Sequence, residues 1–426
     1  MQLKKEITHN SSEEVTRNTS RQVPQKSTRN TSRKSTPNIT HKISPKISGK
    51  IVRDASISIL LYALPVLLMF LYFYLTGQRP WTEARPSSPL AFLGPVFTHL
   101  NNWGLPVLMV ALGIAEFLLG LYDGRWTRNE KVLDIVCFVG SRVVIRPAVV
   151  YFTLWLLPIA LPGLKETFSW VPFWWGFLII AVADDLTQYW YHRLHHQVPI
   201  LWRFHRTHHS APYMGMSMAS RQNILYTVFF SQIYLTAALV YLGLGEAALF
   251  VTGVKSIITL AAHSSIPWDK PFYSKKWLHP VAWVLERLIS TPATHHAHHA
   301  DSDDDGVGHY KGNFGNMFFL WDVIFGTGII TRQYPSGYGI KHYKQEEWYA
   351  QFLWPIFKSG KEGSELAKGG PVVGDEVLSG SPVFGAETPS GGPVLADEAA
   401  SDGLSKLIAE LESADLSRLR AELDGI

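Results

Sequence analysis

The chain has 426 residues, of which 46% are hydrophobic, 13% aromatic and only 17% charged, against about 25% charged in ordinary soluble domains. Net charge is +4, and Cys137 is the lone cysteine, which excludes an intrachain disulfide framework and a thiolate zinc cluster. Residues 1–54 are rich in Ser, Thr and Asn and carry twelve Lys/Arg against few acids. Such a tail cannot bury enough apolar surface to offset its ordering entropy, so disorder is expected there. From Ala55 the composition switches: 55–77 lacks charge and is long enough to cross the ~30 Å of membrane hydrocarbon. Its basic flank predicts a cytoplasmic N-terminus.

Further apolar segments follow at about 103–122, 147–162, 173–190, 224–244 and 246–262. The last two part only at Gly243–Glu246 and read as a hairpin. Arg125, Arg128, Lys131, Arg142 and Arg146 crowd one stretch, which reads as a cytoplasmic connection. Trp170, Trp174, Trp175, Trp190 and Trp202 are expected at the membrane interface. The fold class is therefore all-α: a multi-pass transmembrane helical bundle over 55–340. After it come a linker over 341–401, with three eleven-residue Gly/Pro repeats, and an amphipathic helix over 402–426.

Thirteen of the 17 histidines lie between His192 and His309. Ten of them form three H-x-x-H-H groups: His192, His195 and His196; His205, His208 and His209; and His295, His296, His298 and His299, whose motif begins at His295. Residues three and four apart share a helix face, so each group aims several imidazoles at one point. Neutral imidazole suits zinc, copper, iron and nickel. So many rings exceed the four ligands of a structural zinc, and two metal ions are the economical reading. The groups fall at the ends of apolar helices, on the side expected to be cytoplasmic. Asp185, seven residues before His192, is a candidate to orient a ligand from behind. A histidine-lined metal transporter or sensor is the alternative of another class; it would place more polar groups within the spans.

These motifs resemble the fatty acid hydroxylase/sterol desaturase superfamily of integral membrane non-haem di-iron enzymes. The likeness is carried by DDLTQYWYHRLHH, LWRFHRTHHS, RLISTPATHHAHH and the closing NFG…LWDVIFGT at Asn313–Gly315 and Leu320–Thr327, within residues 90–330. It implies nine ligands: His192, His196, His205, His208, His209, His263, His295, His298 and His299. His279 is a weaker match, and His195, His296 and His309 fall off the pattern. The resemblance also implies two ferrous ions, O2 as co-substrate and a membrane lipid hydroxylated at an unactivated C–H bond, with desaturation as the alternative outcome. Two electrons would come from an external carrier, a ferredoxin or a cytochrome b-type protein with its reductase. Arg193, Arg203 and Arg206 are the expected basic surface for that carrier, and no nucleic-acid partner is expected.

Overall fold

A computed structural model describes residues 45–77, 105–119, 121–122, 125–343, 345–362 and 364–367. Of the disordered tail expected over 1–54, residues 1–44 lie outside the described residues, as do the repeats over 369–401 and the helix over 402–426, whereas 45–54 are helical. Among the described residues the architecture is helical, and extended pairing is confined to the isolated bridges Ala300–Tyr338 and Ser359–Ala367.

Helix α1 spans Pro45–Thr76 and α2 spans Leu105–Leu118. α1 thus starts ahead of the Ala55 at which the composition changes. Next, α3 (Arg128–Cys137), a π-helical turn over 138–145 and α4 (Arg146–Ala160) run on without a break. The basic stretch expected as a connection is therefore helical from Arg128 onward. Its charges are accommodated sideways: Arg142 donates to Ser220 Oγ at 3.1 Å, and Arg146 lies over the Phe230 ring at 5.1 Å.

α5 covers Phe173–Gln197 and α6 covers Pro199–His209. Pro199 fits the first turn of α6, where its missing N–H has no partner to lose. Then come α7 (Ile224–Val228), α8 (Ser231–Leu239) and α9 (Gly245–His263). Between α8 and α9 the chain turns at Gly243, whose φ is 105°, a conformation only glycine adopts freely. A Cβ there would stand 2.8 Å from Ser169 N. The run Ile224–His263 is 40 residues long, about 60 Å at 1.5 Å per residue. Both its ends return to the same histidines: the Tyr226 ring stacks 4.8 Å from His205, and His263 Nε2 lies 3.3 Å from His208 Nε2. The run goes out and comes back, as the glycine break indicated.

α5 and α9 approach closely because small residues face each other. A Cβ on Gly176 would meet Ala247 Cβ at 3.2 Å, and Ala181, Ala247 and Ala248 share one buried cluster with Met69, Phe73 and Val251. Among the described residues, three helical runs are long and apolar enough to cross a membrane: Arg53–Thr76, Arg128–Ala160 and Ile224–His263. Short helices complete the histidine end: α10 (Lys270–Ser274), α11 (His279–Leu288), α12 (Pro292–His298), α13 (Leu320–Phe325) and α14 (Trp348–Leu353). The last of these falls where a linker was expected. Instead Gln351 and Leu366 are buried, and Gln351 O accepts from Thr207 Oγ1 at 2.8 Å. The folded body thus extends through Ala367.

Candidate metal centre

Four elements deliver the imidazoles: the end of α5, the end of α6, the last residue of α9, and α12 with His299 capping it. α12 is held at its start by a capping box between Thr291 and Thr294, and by Asp269, which accepts from Ala293 N at 2.8 Å. Nine histidines converge in two neighbouring groups. His192, His196, His205, His209 and His298 form one; His208, His263, His295 and His299 form the other. Within each group one nitrogen per ring lies within 4.8 Å of all the rest. The groups touch where His209 stacks on His299, centroids 4.3 Å apart.

The protonation pattern shows what the rings are arranged for. His192 Nδ1 faces Phe314 O at 2.7 Å and His298 Nδ1 faces Gly312 O at 2.6 Å. A carbonyl only accepts, so both Nδ1 atoms carry protons. In the neutral rings both Nε2 atoms are then lone-pair acceptors. Yet these two Nε2 atoms face each other at 3.1 Å. His263 is fixed likewise, donating from Nδ1 to Thr259 O at 2.8 Å, and its Nε2 faces His295 Nε2 at 3.0 Å and His208 Nε2 at 3.3 Å.

Burial pushes His192 down to about 3 and holds His196, His205, His208, His209, His295, His298 and His299 well below the usual imidazole range. Protons therefore do not resolve the opposed lone pairs. His196 Nε2 and His299 Nε2 are also buried without hydrogen-bond partners. Imidazole nitrogens about 2.0–2.1 Å from one cation, 90–110° apart, would sit about 2.8–3.4 Å from each other. The four His–His nitrogen separations, 3.0–3.3 Å, fit a cation in each group.

The loop 312–315 and α13 support the first group. Asp322 accepts from Phe314 N at 2.8 Å, Gly315 N at 2.6 Å and Thr327 Oγ1 at 2.6 Å. Asn313, at φ 55°, donates to Thr294 O at 2.9 Å and accepts from Ile329 N at 2.7 Å. The closing signature thus holds the carbonyls that orient His192 and His298. The carboxylate nearest this task is Asp322, not Asp185. Asp185 accepts from Phe318 N at 2.8 Å and Trp321 Nε1 at 3.0 Å, and pairs with Lys255 at 3.3 Å; it touches no histidine.

Other expectations change for similar tertiary reasons. Arg193 and Arg206 are buried, not a docking surface. Arg193 pairs with Asp54 at 3.3 Å, and Arg206 pairs with Glu346 at 2.5 Å and Glu365 at 3.2 Å. Arg203 lies over the Trp354 ring. Trp202 packs on His196 and His209, centroids 5.2 and 5.5 Å away, and Trp190 donates to Ser58 Oγ at 2.9 Å. Both belong to the histidine end rather than an interfacial belt, whereas Trp174 is exposed. His195 donates to Tyr191 O at 2.7 Å, His309 to Thr327 O at 3.1 Å and His279 to Tyr273 O at 3.0 Å. His296 lies between Tyr338 Oη and Ser264 O. All four stand outside the two groups.

Residues 177–327 match the model of the fatty acid hydroxylase family. The chain is 31% identical over 174 residues to alkylglycerol monooxygenase of Homo sapiens, covering 39% of this chain and 34% of the relative. It is 27% identical over 192 residues to the Danio rerio protein of the same name, covering 43% and 38%. The Xenopus tropicalis protein is 25% identical over 170 residues, covering 39% and 33%. The chain thus spans little more than a third of the length of the curated relatives it matches. No solved structure matches it. All nine converging histidines lie inside the matched region, so residues 177–327 form a fatty acid hydroxylase-type domain, and the likeness to the fatty acid hydroxylase/sterol desaturase superfamily is carried by that part of the chain.

Proposed function

We propose that this chain is a membrane-embedded, O2-dependent lipid hydroxylase with two iron ions. One would be held by His192, His196, His205, His209 and His298, the other by His208, His263, His295 and His299. The observation that carries the reading is the opposed lone pairs of His192 and His298, 3.1 Å apart and fixed by carbonyls behind them. An all-imidazole set suits nitrogen-loving metals, iron among them; the family match makes iron the choice.

Bound iron supplies O2 activation and attack on an unactivated C–H bond. The protein's own residues supply the setting. Phe314 O and Gly312 O hold the Nδ1 protons of His192 and His298, which keeps each Nε2 free to coordinate. Tyr226, Trp202 and Phe314 pack directly on the imidazoles and exclude water from them. Electrons come from an external carrier protein of the ferredoxin or cytochrome b class.

The substrate is a lipid entering from the bilayer, with α1, α3–α4 and α7–α9 in the hydrocarbon as a multi-pass bundle. The names of the relatives make alkylglycerols the first class to assay. The N-terminus and the centre lie on the cytoplasmic side. The basic flank ahead of α1 supports this, because Asp54 near that end of α1 pairs with Arg193 beside the histidines.

The test is to purify the full-length chain in detergent, measure bound metal, and follow reductant-dependent O2 uptake with an alkylglycerol. Two irons per chain and a hydroxylated product are expected, and His208→Ala should abolish turnover while leaving membrane insertion intact. Zinc alone with no O2 uptake, or full activity in His208→Ala, would overturn the assignment.

A further inference from the structure

α11 is amphipathic in the wrong sense for water. Its inward positions are Ala282 and the carboxylate Glu286, both buried; Glu286 is satisfied by Arg332 at 2.7 and 2.9 Å and by Arg287 at 2.9 Å. Its outward face is Val281, Trp283, Val284 and Leu288, all exposed. The turn before it presents Trp277, 73% exposed. Helices at a water boundary place apolar groups inward, and a contiguous exposed apolar face marks a contact.

We propose that this face is seated in the interfacial layer of the bilayer, forming a lip beside the histidine centre. The inference rests on reading the apolar runs as membrane-embedded. Two observations select lipid as the occupant. Lys275 and Lys276 stand exposed just ahead of Trp277 and make no ion pair among the described residues. They suit anionic headgroup phosphates, with the tryptophans at the acyl boundary below them. The segment also follows the proposed span directly in the chain, with Ile257 on α9 and Ile266 just after it exposed. Arg287 lies over the Trp283 ring at 4.5 Å, its stem along the apolar face and its head beside Glu286.

The lip adjoins the centre directly. Ala282 and Leu285 of α11 share a cleft with Thr291, the N-cap of α12, and α12 carries His295 and His298. A lipid seated at this lip therefore lies one helix away from α12, which carries His295 of the second histidine group and His298 of the first.

The lone, buried Cys137 makes the test clean. In a Cys137→Ser background of the full chain, Val284→Cys, Trp155→Cys on α4 and Asp303→Cys in an exposed loop are each labelled with an environment-sensitive dye. The proteins are reconstituted in phosphatidylcholine–phosphatidylglycerol vesicles whose acyl chains are brominated either near the glycerol or near the tail end. The label at 284 should lose emission to bromine near the glycerol, and the label at 155 should also be quenched, while the label at 303 should keep its emission. Leu288→Cys repeats the measurement should the 284 variant misfold. Quenching at 155 but not at 284 or 288 overturns the lip and leaves the membrane reading standing. Blue-shifted emission at 284 without bromine quenching means a protein partner or a second copy covers the face, and overturns it too. No quenching at 155 or at 284 removes both readings.

Discussion

His192 and His298 lie 106 residues apart in the chain, yet their Nε2 atoms face each other at 3.1 Å while their Nδ1 atoms bond carbonyls two residues apart, Phe314 O and Gly312 O. One short loop therefore orients an imidazole from α5 and an imidazole from α12 together, and Asp322 holds that loop. In Asp322→Asn one carboxylate oxygen becomes an NH2 group facing backbone N–H donors at Phe314 or Gly315. The expected result is about a 10–100-fold loss in iron affinity or turnover, the usual cost of removing such support, with the helical content retained. Metal titration and circular dichroism on the purified variant check it. Unchanged metal affinity would mean the loop orients itself.

The two groups differ in size, and removal of one ligand should tell them apart. His263 belongs to the group of four and His196 to the group of five. His263→Ala leaves three imidazoles in its group, so the variant is expected to keep one iron per chain and lose the other. His196→Ala leaves four and should retain more iron in its group. Metal analysis of both variants decides this. Equal loss of both ions in His263→Ala would mean the two groups bind as one indivisible cluster.

The histidine spacing was legible because H-x-x-H-H matches helical geometry, and α5, α6 and α12 are helices through or up to their motifs. The hairpin was legible from the break at Gly243–Glu246. What could not be read was tertiary. The groups that orient His192 and His298 are backbone carbonyls, which no side-chain pattern encodes, and Asp322 acts through Phe314 rather than on an imidazole. Arg193 and Arg206 look like surface charge because their carboxylates come from Asp54, Glu346 and Glu365, far along the chain. Lys255 is similar: its partners Asp184 and Asp185 sit on another helix, so an apolar run conceals a buried ion pair.

Arg221 shows how much the α6 histidines depend on such a pair. Fully buried, it donates to Thr207 O at 3.0 Å and Ser210 Oγ at 2.9 Å, at the end of α6, and pairs with Glu130 and with Asp134 at 3.4 Å on α3. Arg221→Met would leave two buried carboxylates without their cation, a loss of about 3–5 kcal/mol. Arg221→Lys keeps the charge but cannot reach all four partners from one ammonium, so an intermediate loss is expected. Thermal melts in detergent rank the three proteins. Equal stability of Arg221→Met and the parent would show that this network contributes nothing net.

His309 gives a pH signature separate from the nine converging histidines. Its Nε2 donates to Thr327 O at 3.1 Å, and burial holds it below the usual imidazole value. The unfolded chain takes up a proton at this residue below about pH 6.5, while the folded chain does so only at lower pH. The unfolded state then binds more protons, so stability falls as pH drops below about 6.5, by up to about 1.4 kcal/mol per pH unit from this one group. His309→Gln retains an N–H donor for Thr327 O and has no proton to gain. Relative to the parent, it should lose stability less steeply between pH 6.5 and the lowered value of His309, and the two curves should run parallel above pH 7.5. Denaturation midpoints of both proteins across that range measure the difference, in which the titrations of the other histidines cancel. Curves that stay parallel down to pH 5 would show that His309 keeps its ordinary proton affinity in the fold.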